Sequence, residues 1–228
     1  MKAMILAAGR GERMRPLTDN TPKPLLKVGG KPLIVWHLES IANAGIKEVV
    51  INHAHLGKQI VNALGNGHQW GVSIQYSAEE VALETAGGIA NALPLLGDQP
   101  FLVVNGDIFT DMDFSAYQEV VKNMQQQNQL AHLFLVDNPP QHAKGDFALS
   151  KSLVQTEGQV MLTFSGVGIY QPELFADIEL GQPAKLAPVL RKAMVNQQVS
   201  GEHFQGIWHD IGTPERLATL DAELSHST

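Results

Sequence analysis

Near its start the chain places Gly9, Gly11, Arg13, Arg15 and Lys23 within about fifteen residues, directly after the apolar run Met4-Ile5-Leu6-Ala7-Ala8. Glycine lets a backbone take positive φ and approach a ligand closely, because no Cβ stands in the way. Successive N–H groups in such a loop form a concave anion site, which arginine and lysine side chains complete. The chemistry this implies is polyphosphate binding. Two further segments supply carboxylates: Asn105-Gly106-Asp107, and Asp210 within Trp208-His209-Asp210-Ile211-Gly212-Thr213-Pro214-Glu215. A carboxylate beyond the carboxyl end of a strand suits Mg²⁺, a hard cation held by few protein oxygens together with substrate phosphates. Asn-Gly and Gly-Asp are also ordinary turn residues, and Thr213-Pro214 reads as a helix N-cap and first helical residue. Capping leaves Asp210 unexplained.

Two better-known glycine loops do not fit. A dinucleotide fingerprint needs a third glycine where Met14 stands, and a Walker A loop needs Gly-Lys-Ser/Thr after its glycines. Pro16, Pro22 and Pro24 argue against a regular helix directly after the loop, since each removes a donor and restricts its predecessor. The stretch is therefore an extended, proline-stiffened phosphate loop.

The elements that must position these residues alternate. A helix is expected from Lys31-Pro32 to about Ala44 with Gly45 as its stop, then a buried strand Glu48 to Ile51. Further helices are expected over 56–64, 85–93 and 114–127, and strands over 72–76 and 101–104. This alternation predicts an α/β fold, a doubly wound, mostly parallel, Rossmann-like sheet with right-handed crossovers. From about Leu130 the pattern loosens into shorter strands, 130–136, 147–149, 160–164 and 168–170, partly antiparallel, with helices over 185–194 and 214–224. One domain is expected over 1–228, its first part, 1–129, carrying the phosphate loop, and its second, 130–228, carrying the looser strands and the C-terminal helices.

Composition narrows the function. The 228 residues are 44% hydrophobic and 17% charged, an ordinary globular mixture, and the formal net charge of −7 argues against a general nucleic-acid surface. The absence of cysteine excludes disulfides, thiolate metal sites and cysteine nucleophiles. No run approaches the ~20 apolar residues of a membrane helix, so a cytoplasmic location and no membrane partner are expected. The nine histidines are scattered. Neither His53/His55 nor His203/His209 has metal-ligand helical spacing, and they read as hydrogen-bonding or surface residues.

Ala7-Ala8-Gly9-x-Gly11-x-Arg13-Met14-x-Pro16-Leu17-Thr18, followed by Pro22-Lys23-Pro24-Leu25, resembles the signature of the sugar-1-phosphate nucleotidyltransferases. That family joins a sugar 1-phosphate to a nucleoside triphosphate and releases pyrophosphate. The resemblance spans essentially the whole chain and implies a nucleotide-diphospho-sugar transferase fold with a small antiparallel sugar-binding portion. It makes residues 1–129 the nucleotide-binding part and residues 130–228 the sugar-binding part. It implies Mg²⁺ held by Asp107 and Asp210, Lys23 at the α-phosphate, and Arg13 at the β- and γ-phosphates. It puts Ala8, Gly9, Gly11, Glu12, Glu79, Thr85, Gly87 and Asn105 at the nucleotide, with Gly87 and Gly88 open to a base edge. The sugar would meet Gly145, Asp146, Thr163, Ser165 and Lys185. Two positions depart from the family pattern: Glu12 stands where Ser or Thr is usual, and Glu84 where Gly is usual.

Within the family, Leu-Glu-Thr-x-Gly-Gly, Gly-Asp-Phe, Thr-Phe-Ser-Gly and Lys-Leu-Ala-Pro most resemble the branch that uridylylates N-acetylmuramic acid 1-phosphate in cell-wall recycling. UTP and a sugar 1-phosphate are then the expected partners, and the protein a monomer or small homo-oligomer. A mannose- or glucose-1-phosphate nucleotidyltransferase is the near alternative. A non-catalytic nucleotide-sugar sensor on the same fold is the alternative from another class; it would have no need of both Lys23 and Asp107.

Overall fold

In the computed structural model, which describes residues 1–226, the apolar run at the start becomes β1 (Ala3–Leu6). The chain continues through β2 (Lys27–Val28), β3 (Lys31–Pro32), α1 (Leu33–Asn43), β4 (Glu48–His53), α2 (Gly57–Leu64), β5 (Ser73–Ala78), α3 (Glu84–Leu96) and β6 (Phe101–Asn105). There follow β7 (Ile108–Thr110), α4 (Tyr117–Gln126), β8 (Ala131–Val136), β9 (Phe147–Ser150), β10 (Leu153–Gln155) and β11 (Met161–Tyr170). The described chain closes with α5 (Leu186–Val195), β12 (Val199–His203), β13 (Trp208–Asp210) and α6 (Pro214–His226).

Among the described residues, nine strands form one sheet in the order β5-β4-β1-β6-β11-β8-β12-β10-β9. The first four of these pair in parallel; the inner strands β1, β4 and β6 are mainly apolar because both faces are covered, while the edge strand β5 alternates buried and exposed residues. Alternate residues point to opposite faces, so the strands feed two cores. Ile5, Ile51 and Val104 pack with Leu38 and Ile41 of α1 and Ile60 of α2. Met4, Val50 and Val103 pack with Ile89 and Ala90 of α3 and Leu190 of α5. Each such fully buried aliphatic side chain contributes about 1.5–3 kcal/mol. This is the doubly wound α/β arrangement that the alternation predicts.

Past β6 the sheet becomes mixed without ending. β11 lies antiparallel between β6 and β8, β12 returns parallel to β8, and β10 and β9 close the edge antiparallel. The division expected near residue 129 therefore crosses an unbroken sheet. The segments expected as separate strands at 160–164 and 168–170 are one strand, β11, with a register shift between Phe164 and Gly168. Gly166 takes φ +83° there and lies against the Asn105 amide. A bulge of this kind breaks the two-residue period, which is why the sequence reads as two strands.

Lys31-Pro32 does not begin a helix. It is β3, which pairs with β2, and α1 starts one residue later at Leu33. The pairing of β7 with β13 was also not expected, because a three-residue strand carries no readable period. A third apolar cluster fastens this region: Met14 from the glycine loop packs with Leu33, Phe109, Ile211, Leu217 and Leu220. Met14 is wholly buried.

Gly106 joins the sheet to the loop that carries Asp107. Its N–H donates to the Leu6 carbonyl at 2.8 Å, and a Cβ on Gly106 would stand 2.6 Å from that oxygen. The obstacle is backbone and has little freedom to give. Gly106→Ala is expected to cost about 1–3 kcal/mol and to lower Tm, as measured by calorimetry. An unchanged Tm would show that the loop yields freely.

Candidate active site

The parallel register places Leu6 opposite both Asn52 and Asn105, so the loops that leave β1, β4 and β6 open onto one edge of the sheet. Between them lies a cleft of about 440 Å³. Its lining includes Ala8, Gly9, Gly11, Glu12 and Arg13 from the glycine loop, with Lys23, Glu79, Thr85, Asn105 and Asp107. Gly11 takes φ +69° and opens a 3-10 turn over Glu12–Met14. A second turn covers Lys23–Leu25, and no longer helix interrupts the loop, in keeping with its prolines. Arg15 pairs with Glu12 and Asp19, and Arg10 pairs with Glu12, so these two arginines are engaged on the loop itself.

Asn52, at the end of β4, holds the cleft's wall together and was not singled out in the sequence. Its Oδ1 accepts from the Ala7 N–H at 2.8 Å, and its Nδ2 donates to Glu79 Oε1 at 2.7 Å. Glu79 Oε2 in turn accepts from the Leu83 N–H at 2.9 Å. The chain of bonds ties the glycine loop to the start of α3, and both carboxylate oxygens of buried Glu79 have protein donors. The signal that could have found Asn52 is a polar residue closing an apolar parallel strand, where α/β sheets bind ligands.

Gly87 and Gly88 are packed against protein on the side where a Cβ would stand. A Cβ on Gly87 would stand 2.5 Å from the Gln182 carbonyl, and one on Gly88 would stand 2.7 Å from Glu79 Oε1. Close packing of α3 therefore requires glycine at both positions. Gly87 accordingly does not line the cleft, whereas Thr85 does. Glu84, which departs from the family's usual glycine, takes φ +60°, a region that costs a non-glycine residue of order 1–3 kcal/mol.

Lys23 is 7% exposed between the buried Pro22 and Pro24, and its Nζ donates to Asp107 Oδ2 at 2.7 Å. Asp107 itself is 42% exposed and faces the cleft. The pairing of β13 with β7 brings Asp210 opposite Ile108, and the Ile211 N–H donates to the Asp107 carbonyl at 3.0 Å. The backbones of the two candidate metal aspartates thus lie close despite their distance in sequence, Asp107 just before β7 and Asp210 on β13, although Asp210 lines neither hollow. The Asp210 carboxylate is held by Arg216, whose Nη1 also donates to the Asp210 carbonyl at 3.1 Å. Among the described residues, no group of three or more metal-ligating side chains exists. A carboxylate on the cleft at Asp107, with Asp210 on the segment bonded to its backbone, is nevertheless chemistry that fits Mg²⁺, which takes its other ligands from water and phosphate.

A second hollow, about 260 Å³, adjoins the first and shares Glu84, Thr85 and Asn105 with it. Asp146 and Lys185 line it, as expected for an acceptor site. Asp146 is oriented by the Phe164 N–H at 2.9 Å and by His142 Nε2 at 3.0 Å. The structure does not bring Thr163, Ser165 or Gly145 to either hollow. The Thr163 hydroxyl donates to Asn138 Oδ1 at 2.8 Å, and the Ser165 hydroxyl accepts from the Val167 N–H at 3.1 Å inside the bulge. Gly145 takes φ +64° in a turn packed on Asn138 and Leu162. All three support the wall from behind.

Residues 2–152 match the family model described as nucleotidyl transferase. The chain is 59% identical to the N-acetylmuramate alpha-1-phosphate uridylyltransferase of Neisseria meningitidis, over 97% of each chain. It is 34% identical to the protein of that name from Caulobacter vibrioides, over 99% of this chain and 97% of the other. It is 32% identical to the mannose-1-phosphate guanyltransferase of Aspergillus fumigatus, over 96% of this chain and 63% of the other. A putative glucose-1-phosphate thymidylyltransferase from Bacillus anthracis, solved with sucrose, has the same fold at TM-score 0.86 and 23% identity, over 98% of this chain and 95% of that one.

His37 of α1 is buried against the same region, with Nε2 2.9 Å from the Ile108 carbonyl, so Nε2 carries the proton. Burial lowers its pKa from 6.5 to about 4, against the opposing pull of the Ile108 bond and the Asp107 charge. The unfolded chain therefore takes up this proton first as pH falls. The stability His37 contributes is complete above about pH 6.5 and is lost as pH drops toward 4. Between pH 7.5 and 4.5 it accounts for roughly 2–3 kcal/mol of decline. Denaturant unfolding at the two values should show His37→Gln losing less stability by about that amount; equal losses would show that His37 is charged in the fold.

Proposed function

The chain belongs to the nucleotidyl transferase family, and we propose that it transfers the uridylyl group of UTP to N-acetylmuramic acid 1-phosphate, yielding UDP-N-acetylmuramic acid and pyrophosphate. The observation that carries this reading is the junction of the two hollows. A phosphate loop with Arg13 and Lys23 lies on one side, Lys185 and Asp146 on the other, and Thr85 and Asn105 on the wall between. The 59% identity to a uridylyltransferase of that name supports the choice of substrates.

In this reading the reaction is one in-line displacement. A phosphate oxygen of the sugar 1-phosphate attacks the α-phosphorus of UTP and forms a new P–O bond. The bond from that phosphorus to the bridging oxygen of the β-phosphate breaks, and pyrophosphate leaves. The nucleophile is already anionic, so no residue has to remove a proton, and no covalent enzyme intermediate is needed. Catalysis then rests on positioning and charge. Lys23, fixed between two prolines, offsets the charge that develops at the α-phosphate, and Arg13 holds the leaving phosphates. Lys185 offers a cation to the lactyl carboxylate of the sugar. Asp107 and Asp210 would hold Mg²⁺, which when bound neutralises phosphate oxygens and orients them.

Two measurements test the reading. Pyrophosphate release should be fastest, by kcat/KM, with UTP and N-acetylmuramic acid 1-phosphate when nucleoside triphosphates are crossed with sugar 1-phosphates. A higher value for GTP with mannose 1-phosphate would overturn the substrates and keep the reaction class. Lys23→Met should lower kcat by ~10²–10³ with little change in the KM for UTP, since the charge acts mainly on the transition state. Near-normal turnover would make Lys23 a loop residue only.

A further inference from the structure

Arg216, in the first turn of α6, was not expected to take part in the site, yet its guanidinium packs on Gly212, which lines the nucleotide cleft. Nη1 is held by the Asp210 carboxylate and by the Asp210 carbonyl at 3.1 Å. Nη2 points elsewhere: it lies 2.5 Å from the point where a Cβ on Gly212 would stand. Arg13 Nη2 lies 3.2 Å from the same point. Gly212 and Arg13 line the cleft, and at Gly212 no side chain stands between the two guanidinium groups. Asp210 answers Arg216, whereas Arg13 has no ion pair among the described residues. Arg13 is exposed and Arg216 half-buried, and an anion lying between these two like charges would answer both. A guanidinium fork matches the oxygens of a phosphate, and the amino end of α6 adds positive potential at the same place.

We propose that Arg216 is a phosphate-binding residue that, with Arg13, grips the terminal phosphates of the nucleoside triphosphate, the group that leaves as pyrophosphate. Asp210 keeps the guanidinium aligned when no nucleotide is bound. Arg216 and a divalent cation are then alternative partners of one carboxylate, and the arriving phosphates offer Arg216 a second anion as Asp210 is drawn away. This role rests on the reaction proposed above and adds to it a residue for the leaving group.

Binding calorimetry with UTP, inorganic pyrophosphate and UMP, each with Mg²⁺, tests it on the parent, Arg216→Met and Arg216→Lys, with Tm measured alongside. Arg216→Met should weaken UTP and pyrophosphate by about tenfold or more and leave UMP within about twofold, because UMP lacks the phosphates that Arg216 would hold. Arg216→Lys keeps the charge and the pairing with Asp210 but not the fork, so it should fall between the two, and it decides the matter if the methionine variant unfolds. Equal losses for UMP and UTP, or unchanged affinities, would overturn the inference and leave the reaction standing. A parent that binds neither UTP nor pyrophosphate would overturn the proposed reaction, and this inference with it.

Discussion

The parallel ladder around Leu6 is the constraint on which the rest of the site depends. Hydrogen bonding fixes β1 between β4 and β6 with Leu6 level with Asn52 and Asn105. A slip of one residue would turn every apolar side chain of β1 to the wrong core, and burial on both faces forbids it. With that register set, the chain must leave all three strands at the same height. The glycine loop, the Asn52 amide and the Asn105-Gly106-Asp107 turn meet there because the hydrophobic pattern of the strands allows no other alignment.

Electrostatics then organises what the ladder has gathered. Lys23 pairs with Asp107 on the cleft, and Arg216 pairs with Asp210 on the adjoining strand. Each carboxylate that would serve a cation on the substrate already has a cation of the protein's own. A buried lysine without such a partner would be costly, and two neighbouring aspartates without them would repel. The pairs therefore stabilise the ligand-free site and keep four charged groups where phosphate and metal chemistry would use them. In the proposed reaction the substrate would replace these partners, and a nucleotide bearing both phosphate charge and a divalent cation would do so in one exchange.

The loop itself is held by packing as much as by charge. Met14, which rules out a dinucleotide fingerprint, is sunk in a small apolar cluster with Leu33 of α1, Phe109 of β7, and Ile211, Leu217 and Leu220 of the C-terminal segment. One methionine thus clamps the phosphate loop to the segment that carries Asp210 and Arg216. Gly88 and Asn52 perform the matching task on the opposite wall, where the absence of a side chain makes room for the bond to Glu79.

The sequence by itself determined the elements whose signals are local. The apolar runs of β1, β4 and β6, the glycine and proline spacing of the loop, and Lys23 between its prolines were legible because strand burial, backbone permissiveness and ring constraints act over a few residues. Motif resemblance singled out Arg13, Asp107, Asp146 and Lys185, which line the two hollows, and Asp210, which lies on β13 beside them. Tertiary structure alone decided what depends on partners far along the chain. The pairing of three-residue β13 with β7 makes neighbours of Asp107 and Asp210. Thr163 and Ser165 turn their hydroxyls inward because Asn138 and the bulge at Gly166 claim them. Gly87 and Gly88 serve packing because segments 182–184 and 52–79 fill their open faces. Arg216 comes to lie on Gly212 because α6 packs against Met14 of the loop. None of these has a period or a spacing to read: a contact between distant segments is fixed by the geometry of the whole sheet, and a side chain's partner is chosen only once the chain has closed around it.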